Sequence, residues 1–490
     1  MKMRKIVFKS IIILSSLALL PACTDEFSEI NVNPNSPSEV NSSLLLPQIQ
    51  RDMINAVLGE AWGIGNIVIQ HTAKNQFVNE DRYLWGELNS IWNNVYDNMR
   101  DVNNILRQSE ELDQNNYKGI ALIMKAWMFS LATDCYGDVP YSEAARAKEG
   151  YIYPKYDSQE DIYNGILSDL KTAADILGST GEVVSGDVIF NGDIAKWKKL
   201  ANSLRIRYLM RISRKRNVGA DIQAILSDPK YPVFGSNDDN AVYNFLSSAP
   251  DQFPLYTTRI GSFNEFRASK TSLDMLKALN DDRLYVFFRP TPATEGSASP
   301  VYEGIPNGLA DAEALQYNGG PQNHSRIGEL FFEQSVSAQG IKVAKGVIMT
   351  YPELQFLLAE AAETGLIAGD AATYYLNGVK SSFQYFDLTA SDAYLAQAAV
   401  AYSGSTPEKL VKIGTQKWIS FFYQGLEAWF DWRRTGIPSL QPSVDNQNED
   451  RIPVRFIYPI IEQGLNGDNR AAAVAAQGPD DINTKMWYLK

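Results

Sequence analysis

Residues 76–85 bring together the side-chain types that bind sugars. They read Gln-Phe-Val-Asn-Glu-Asp-Arg-Tyr-Leu-Trp and come just before a predicted helix. Flat aromatic rings pack against the C–H faces of a sugar, whereas amides, carboxylates and guanidinium groups bond to its hydroxyls. We therefore expect a ligand-binding loop here, with Asn79, Arg82 and Tyr83 as its main contacts and Trp85 as a further one. The alternative is that Tyr83 and Trp85 pack in the core.

A second group of candidate residues lies within or just after residues 228–323. It comprises Tyr302, Tyr317, Asn318 and His324, with Asn323 beside them, among glycines that let a ligand approach the backbone. Prolines interrupt this segment repeatedly, so we predict a long, loop-rich insertion. Long ordered loops often carry function, and we expect these residues to contact the same ligand. An ordinary loop role for each of them is the alternative.

Residues for catalysis or metal binding are few. The chain has two histidines and one cysteine besides Cys23. These are too few His and Cys residues to favour a zinc site or a histidine-based nucleophilic triad. We predict neither a metal nor a cofactor. Glycoside hydrolysis needs two carboxylates roughly 5 to 9 Å apart, and Glu80 with Asp81 is the one pair near the aromatic residues that merits a test. Since no catalytic motif accompanies it, we predict that the protein is not an enzyme.

Two helices joined by a short loop form the repeating unit of the predicted fold. Tyr163, Ile166 and Leu170 recur at helical spacing and give one apolar face, and a second helix follows from residue 194. Such pairs are predicted at residues 88–135, 159–213, 351–386 and 407–435. Each has about the size of a tetratricopeptide repeat, so we predict a predominantly all-α fold in which these pairs support the irregular, loop-rich half. A helix bundle without repeat geometry is the alternative.

The N-terminus has the features of an exported lipoprotein. Four basic residues precede an apolar block that closes at Pro-Ala-Cys23, which is typical of a secretory signal ending in a lipobox. We predict that residues 1–22 are the signal peptide and that Cys23 carries the lipid. Residues 23–47 are then a polar tether, and residues 48–490 are a single domain.

Net charge restricts the class of ligand. The 490-residue chain carries a formal charge of −12, and the mature chain is more acidic because residues 1–22 contain only basic charges. Phosphate backbones and anionic lipid surfaces are bound by basic proteins, so we expect no nucleic-acid partner. Contact with a membrane is expected through the lipid anchor only.

Several short stretches resemble the SusD/RagB family of nutrient-binding outer-membrane lipoproteins of Bacteroidetes. After Cys23 comes an Asp-Glu pair similar to an export signal to the outer leaflet. In family order there follow residues 30–35 (Ile-Asn-Val-Asn-Pro-Asn), 136–141 (Tyr-Gly-Asp-Val-Pro-Tyr), 429–438 (Trp-Phe-Asp-Trp-Arg-Arg-Thr-Gly-Ile-Pro), 451–453 (Arg-Ile-Pro), Tyr458-Pro459, Glu462 and 485–488 (Lys-Met-Trp-Tyr). We interpret most of these motifs as structural, so they indicate the family without locating its site.

The resemblance implies a function and a partner. It implies four tetratricopeptide-like helix pairs, a lipid anchor in the outer membrane at the cell surface, and a SusC-like TonB-dependent transporter beside it. The expected function is capture of an oligosaccharide and its delivery to that transporter. A peptide ligand, as in RagB-type members, is the main alternative, and a repeat scaffold that binds only protein is a third.

Overall fold

The structure is a computed structural model that describes residues 40–259, 262–331, 335–337 and 340–490. The predicted signal peptide, Cys23, the Asp-Glu pair after it and residues 30–35 lie outside the described residues. Residues Ser42–Lys490 form one compact unit. Its first helix begins at Ser42, inside the segment predicted as the tether (residues 23–47), and Pro47 lies within that helix.

Helices make up most of this unit, which confirms the predicted fold class. In chain order they are α1 (Ser42–Glu60), α2 (Asn66–Val68), α3 (Ser90–Glu111), α4 (Asn115–Tyr136), α5 (Gln159–Ile176), α6 (Ile194–Arg211), α7 (Gly219–Ser227), α8 (Lys270–Ala278), α9 (Leu284–Phe287), α10 (Asp311–Gln316), α11 (Tyr351–Glu363), α12 (Ala371–Tyr385), α13 (Asp392–Ala396), α14 (Thr406–Ser420), α15 (Gly425–Thr435), α16 (Glu462–Leu465) and α17 (Gly467–Gln477). A π-helical turn, Ala61–Gly65, joins α1 to α2. Two of these helices fall in each of the four predicted pairs, except that α4 ends at Tyr136 and α14 begins at Thr406, each one residue outside the predicted range.

Local sequence explains where these helices begin. At the start of α5, the Ser158 hydroxyl accepts a hydrogen bond from the Asp161 N–H at 3.1 Å, as expected of an N-cap. Asp193 caps α6 in the same way through the Lys196 N–H. The apolar face of α5, including Tyr163, is buried against α4 and α6. The apolar residues that recur at helical spacing thus form a continuous core along the paired helices.

The strands are short and lie outside the four helix pairs. They are β1 (Thr72–Lys74), β2 (Ala241–Tyr243), β3 (Phe266–Ala268), β4 (Ser335–Ser337), β5 (Gly340–Lys342) and β6 (Gly346–Met349). They pair antiparallel as β1 with β3, β2 with β6, and β4 with β5. Because each has only three or four residues, the alternation of polar and apolar residues was too short to predict them. The β1–β3 pair matters most, since the first candidate loop follows β1 directly.

The motif at residues 136–141 has the structural role that we predicted for it. Gly137 follows α4 with φ +86°, and its N–H donates to the Thr133 carbonyl at 2.8 Å, which ends the helix. Any side chain there would collide with Gln477, because an added Cβ would lie 1.6 Å from its Oε1. Glycine is therefore required by both conformation and space.

Ion pairs from the Trp-Phe-Asp-Trp-Arg-Arg motif (residues 429–434) join the fourth helix pair to the third. Arg434 donates to Glu360 of α11 at 2.7 Å and to Asp431 at 2.8 Å. Lys417 of α14 donates to the same two carboxylates at 3.0 Å each. Two buried cations thus neutralise two buried anions, and breaking one pair would leave an uncompensated charge.

No helix among the described residues is long and apolar enough to cross a membrane.

Candidate functional site

The first predicted loop turns back on itself after β1. The Arg82 N–H bonds to the Val78 carbonyl at 3.0 Å, and the Leu84 N–H bonds to the Asn79 carbonyl at 2.9 Å. Phe77 has φ +53° and is 67% exposed. A left-handed conformation is unfavourable for a bulky residue. The sequence placed Phe77 in this stretch, but we did not select it as a contact.

Hydrogen bonds to the buried side chain of Asp81 hold this loop in place. Its carboxylate is fully buried and accepts hydrogen bonds from the Lys74 N–H at 2.5 Å and from Asn307 Nδ2 at 2.6 Å. Burial raises the pKa of Asp81 to about 7. Glu80 instead forms an ion pair with Lys74 at 2.9 Å. Because Asp81 cannot reach a ligand, Glu80 and Asp81 do not form the carboxylate pair that a glycoside hydrolase needs.

Tyr83 is a core residue, which corrects its prediction as a ligand contact. It is 3% exposed, and its hydroxyl accepts a hydrogen bond from the Ser443 N–H at 3.1 Å. Trp85 is half-buried and packs edge-on against Trp429 and Phe456, each at 5.9 Å between ring centres. Both rings anchor the loop to the helical core, as in the alternative that we weighed for them. The tyrosine ring therefore offers no free face for stacking.

Asn79 and Arg82 remain on the surface of the loop. Asn79 is exposed, and Arg82 is half-buried with its Nε donating to the Asp445 carbonyl at 3.0 Å. The Arg82 carbonyl accepts from the Gln447 N–H at 2.7 Å. Residues 443–447 therefore brace the loop, a role that sequence reasoning missed because nothing local in that segment signals it.

The second predicted group forms a compact turn after α10. Tyr317 is half-buried, Asn318 is exposed with φ +47°, and Asn323 donates to the Asn318 carbonyl at 2.8 Å. His324 is fully buried, and its Nε2 lies 2.7 Å from the Tyr317 carbonyl oxygen. This corrects His324 from a direct contact to a residue that holds Tyr317 in place.

A small apolar cluster brings the two predicted groups together. Its buried members come from β1, the first loop, the insertion and α10: Ala73, Val78, Ile305 and Ala314. Leu309 and Tyr317 pack against it. In addition, the Val78 N–H donates to Asp311 Oδ1 at 3.4 Å. We call these four buried residues the support cluster, because they join the loop bearing Asn79 to the turn bearing Tyr317.

Tyr302 belongs to a neighbouring aromatic pair. Its ring meets that of Tyr285 edge-on, with 5.5 Å between centres. Tyr285 lies on α9 and is 64% exposed. Next to Tyr302, the Glu303 carbonyl accepts from the Ser325 N–H at 2.7 Å, so the pair lies near the Tyr317 turn. Sequence reasoning missed Tyr285, since only the folded chain brings α9 beside Tyr302.

A separate cavity of about 390 Å³ contains none of the predicted residues. Stacked aromatic rings form much of its wall, among them Phe331 on Tyr423 at 4.3 Å between centres. Lys342, Lys345 and Asp387 lie at its polar side. Its aromatic wall would suit a hydrophobic side chain, and its polar residues would suit a ligand with polar groups as well.

Metal binding finds no support in the described residues. No group of three or more His, Cys, Asp or Glu side chains there could hold a metal ion. His71 lies against Trp418, and burial lowers its pKa to about 3. Its Nε2 lies 3.0 Å from the Trp418 carbonyl oxygen, so it is a core residue.

Comparison with known proteins identifies the relatives of this chain. A profile of the SusD-like family, described as "Starch-binding associating with outer membrane", matches residues 34–459. No curated protein sequence matches significantly. Many solved structures do match, and those described below cover 92% of this chain and 100% of their own.

Three of these structures illustrate the similarity. A Bacteroides vulgatus outer membrane protein with a suggested part in nutrient binding is 28% identical, with a TM-score of 0.80. A chitin-binding protein is 30% identical, with a TM-score of 0.78. A SusD homologue from Bacteroides fragilis is 26% identical, also with a TM-score of 0.78.

Proposed function

This protein belongs to the SusD-like family of outer-membrane-associated proteins, and we propose that it binds an oligosaccharide at the cell surface and delivers it to a SusC-type TonB-dependent transporter. The observation that carries the proposal is the support cluster. It joins the loop of Asn79 to the turn of Tyr317, two segments that are more than 200 residues apart and were selected separately from the sequence.

The chemistry of this surface suits a sugar. The half-buried ring of Tyr317 would stack on a pyranose face, and the exposed amides of Asn79 and Asn318 would bond to its hydroxyls. Arg82 has further donors beyond the one that bonds to Asp445. Phe77 and the Tyr285–Tyr302 pair extend the aromatic surface. One similar structure is a chitin-binding protein, which supports a glycan as the class of ligand.

Delivery requires an anchor and a partner. We infer that Cys23 carries a lipid, since it closes the lipobox at the end of the predicted signal peptide. A lipid tether would keep the protein at high effective concentration beside a transporter, even if their contacts are weak. Purification from detergent-solubilised outer membranes should then recover a SusC-type barrel. Recovery of the protein alone in several mild detergents, with uptake unaffected by its deletion, would contradict delivery.

Binding is tested by calorimetry on the mature protein against panels of oligosaccharides and peptides. The proposal expects saturable oligosaccharide binding without turnover, weakened by Tyr317→Ala. Tyr153→Ala is the matched control, because Tyr153 is 69% exposed and lies outside the candidate surface. Binding that is unaffected by Tyr317→Ala would place the sugar elsewhere. Turnover would indicate an enzyme, and no binding at all would favour a protein scaffold.

A peptide ligand is the second candidate function, and the 390 Å³ cavity is the observation that favours it. Its stacked aromatic wall would accept an apolar side chain. Ala344 lines this cavity and is buried, so Ala344→Trp should fill it. Peptide binding lost in Ala344→Trp and retained in Tyr317→Ala would support this alternative over an oligosaccharide.

A further inference from the structure

The 390 Å³ cavity lies apart from the candidate ligand surface and can be reached from solvent. None of the residues predicted to contact the sugar lines it. Three of the residues that do line it are exposed, namely Lys342, Lys345 and Asp387, and they mark its mouth. Small-molecule sites have volumes of roughly 300–1,000 Å³. The cavity is therefore large enough for a small ligand and open enough to admit one.

Aromatic rings that hold one another in place form the wall of this cavity. Phe331 stacks on Tyr423 with 4.3 Å between ring centres. Phe422 stacks on Phe287 at 4.1 Å, with an angle of 5° between the ring planes. Because packing fixes these rings before a ligand arrives, little conformational entropy would be lost on binding. A wall of flat rings favours a ligand that carries a planar ring of its own.

A hydroxyl group that the chain leaves unused lies on the same cavity. Tyr385 ends α12, is half-buried, and its ring meets that of Phe386 edge-on at 5.0 Å. Its hydroxyl makes no hydrogen bond with any described residue, and burial raises its pKa, so it stays protonated and can donate. The hydroxyl oxygen of Tyr423 is enclosed without a partner, whereas that of Tyr385 is not enclosed. Tyr385 can therefore reach a ligand in the cavity.

The mouth of the cavity carries a positive charge that is not neutralised. Lys342 lies 3.8 Å from the carboxylate of Asp387, which offsets its charge. Lys345 is exposed and forms no ion pair within the part of the chain that the structure describes. Both free groups, the Lys345 ammonium and the Tyr385 hydroxyl, are hydrogen-bond donors. An anion with several acceptor positions is the group that matches them.

We propose that the 390 Å³ cavity is a second binding site and that it takes an aromatic carboxylate. The ring would pack on the aromatic wall, and the carboxylate would accept hydrogen bonds from Lys345 and from the Tyr385 hydroxyl. A free aromatic acid and the C-terminal residue of a peptide that ends in Phe, Tyr or Trp share this chemistry. The inference goes beyond the proposed function, because the sugar is expected at Tyr317.

Calorimetry on the mature protein tests the ligand class with three small probes. Phenylpropionate should bind saturably and about 10-fold more tightly than phenylpropionamide, its neutral analogue, as expected when hydrogen bonds to a charged group are lost. This preference should weaken at high salt, because Lys345 is exposed. Cyclohexylpropionate keeps the charge without the planar ring and should bind more weakly than phenylpropionate. Equal affinities for the acid and the amide would overturn the carboxylate assignment.

A peptide pair distinguishes the two sources of the carboxylate. The tripeptide Gly-Gly-Phe with a free C-terminus should bind if the ligand is a peptide end, and its C-terminal amide should not. A tripeptide that binds more tightly than phenylpropionate would identify the peptide end as the ligand. One that binds more weakly would identify the free acid. An amidated tripeptide that binds as well as the free one would contradict the proposal.

Conservative variants assign the effect to the two donors. Lys345→Gln should bring the ratio of acid to amide affinity close to one while amide binding stays the same. Lys380→Gln is the matched control, because Lys380 is exposed on α12 and lies outside the cavity. Tyr385→Phe removes only the hydroxyl and should weaken acid binding about 3- to 10-fold. Tyr374→Phe, on the same helix and also half-buried, should have no effect. A ratio that survives in Lys345→Gln would overturn the role of this lysine.

The outcomes separate this inference from the proposed function. Ala344→Trp should abolish phenylpropionate binding, and its melting temperature shows whether it folds; if it does not, the Lys345 and Tyr385 variants decide. Absence of phenylpropionate binding, with sugar binding still weakened by Tyr317→Ala, would overturn the inference and keep the proposed function. A sugar that phenylpropionate displaces, and whose binding Tyr317→Ala leaves unchanged, would contradict both.

Discussion

Asn307 donates from its Nδ2 to Oδ1 of Asp81 at 2.6 Å, and this bond joins the loop-rich insertion to the loop that follows β1. Both side chains are buried, and Asn307 also donates to the Thr72 carbonyl at 2.9 Å. Gly308, the next residue, approaches so closely that an added Cβ would lie 2.9 Å from the Asp81 carbonyl oxygen. The two halves of the candidate surface are thus fixed to each other by polar contacts below it.

Asp81→Ala should destabilise the protein and weaken ligand binding. The substitution leaves the Lys74 N–H and the Asn307 amide buried without their acceptor. Each such loss costs about 1–3 kcal/mol. Denaturant unfolding and calorimetry measure the two effects. Glu80→Ala is the control, because Glu80 is partly exposed, and its stability change should be much smaller. Equal effects of the two substitutions would contradict the anchoring role.

Tyr317→Ala and Tyr83→Ala should separate binding from stability. Loss of the half-buried Tyr317 ring should weaken sugar binding by about 1–3 kcal/mol, as for other aromatic contacts in binding sites, with a small change in melting temperature. Tyr83 is buried, so its truncation should reduce the free energy of unfolding by roughly 3–5 kcal/mol. Calorimetry and thermal unfolding on both variants check this. Stability losses of the same size in both would argue against a surface role for Tyr317.

Glu60→Gln should stabilise the protein at pH 8 but not at pH 4. Burial at the end of α1 raises the pKa of Glu60 to about 7 from an ordinary value of 4.5. Between these values the folded state holds more protons than the unfolded state, so its contribution to stability falls as pH rises. Above pH 7 the charged form is buried at a cost of about 3 kcal/mol, which glutamine avoids. Unfolding curves from pH 4 to 8 give the difference, and a constant difference would exclude this titration.

Cys23→Ala should release the protein from membranes. A covalent lipid is the expected anchor, and without it the chain has no other predicted membrane contact. Fractionation with a high-salt wash measures the released share. Cys135→Ala is the matched control and should remain attached, because Cys135 is buried in the core. A Cys23→Ala variant that stays with the membrane would show that the anchor lies elsewhere.

Sequence patterns predicted the helical half better than the site. The apolar spacing of Tyr163 and Ile166 is a local property, and the helix there begins at Gln159, where the predicted pair begins. The burial of Tyr83 is not a local property of the sequence, because it involves a contact with Ser443, which is 360 residues further along the chain. Asn79, Arg82, Tyr317 and Asn318 were selected from composition alone and remain candidate contacts.

The bracing of the first loop by residues 443–447 also affects when the site can form. The Arg82 carbonyl accepts its bond from Gln447, and the Tyr83 hydroxyl accepts its bond from Ser443. A polypeptide is synthesised from its N-terminus onward, so residues 79–83 are made long before Ser443 and Gln447, their hydrogen-bonding partners. Contacts so distant in sequence form slowly, because the intervening chain must first be closed into a loop. Chains that end before residue 443 should therefore have folded N-terminal helices but no capacity to bind the proposed ligand.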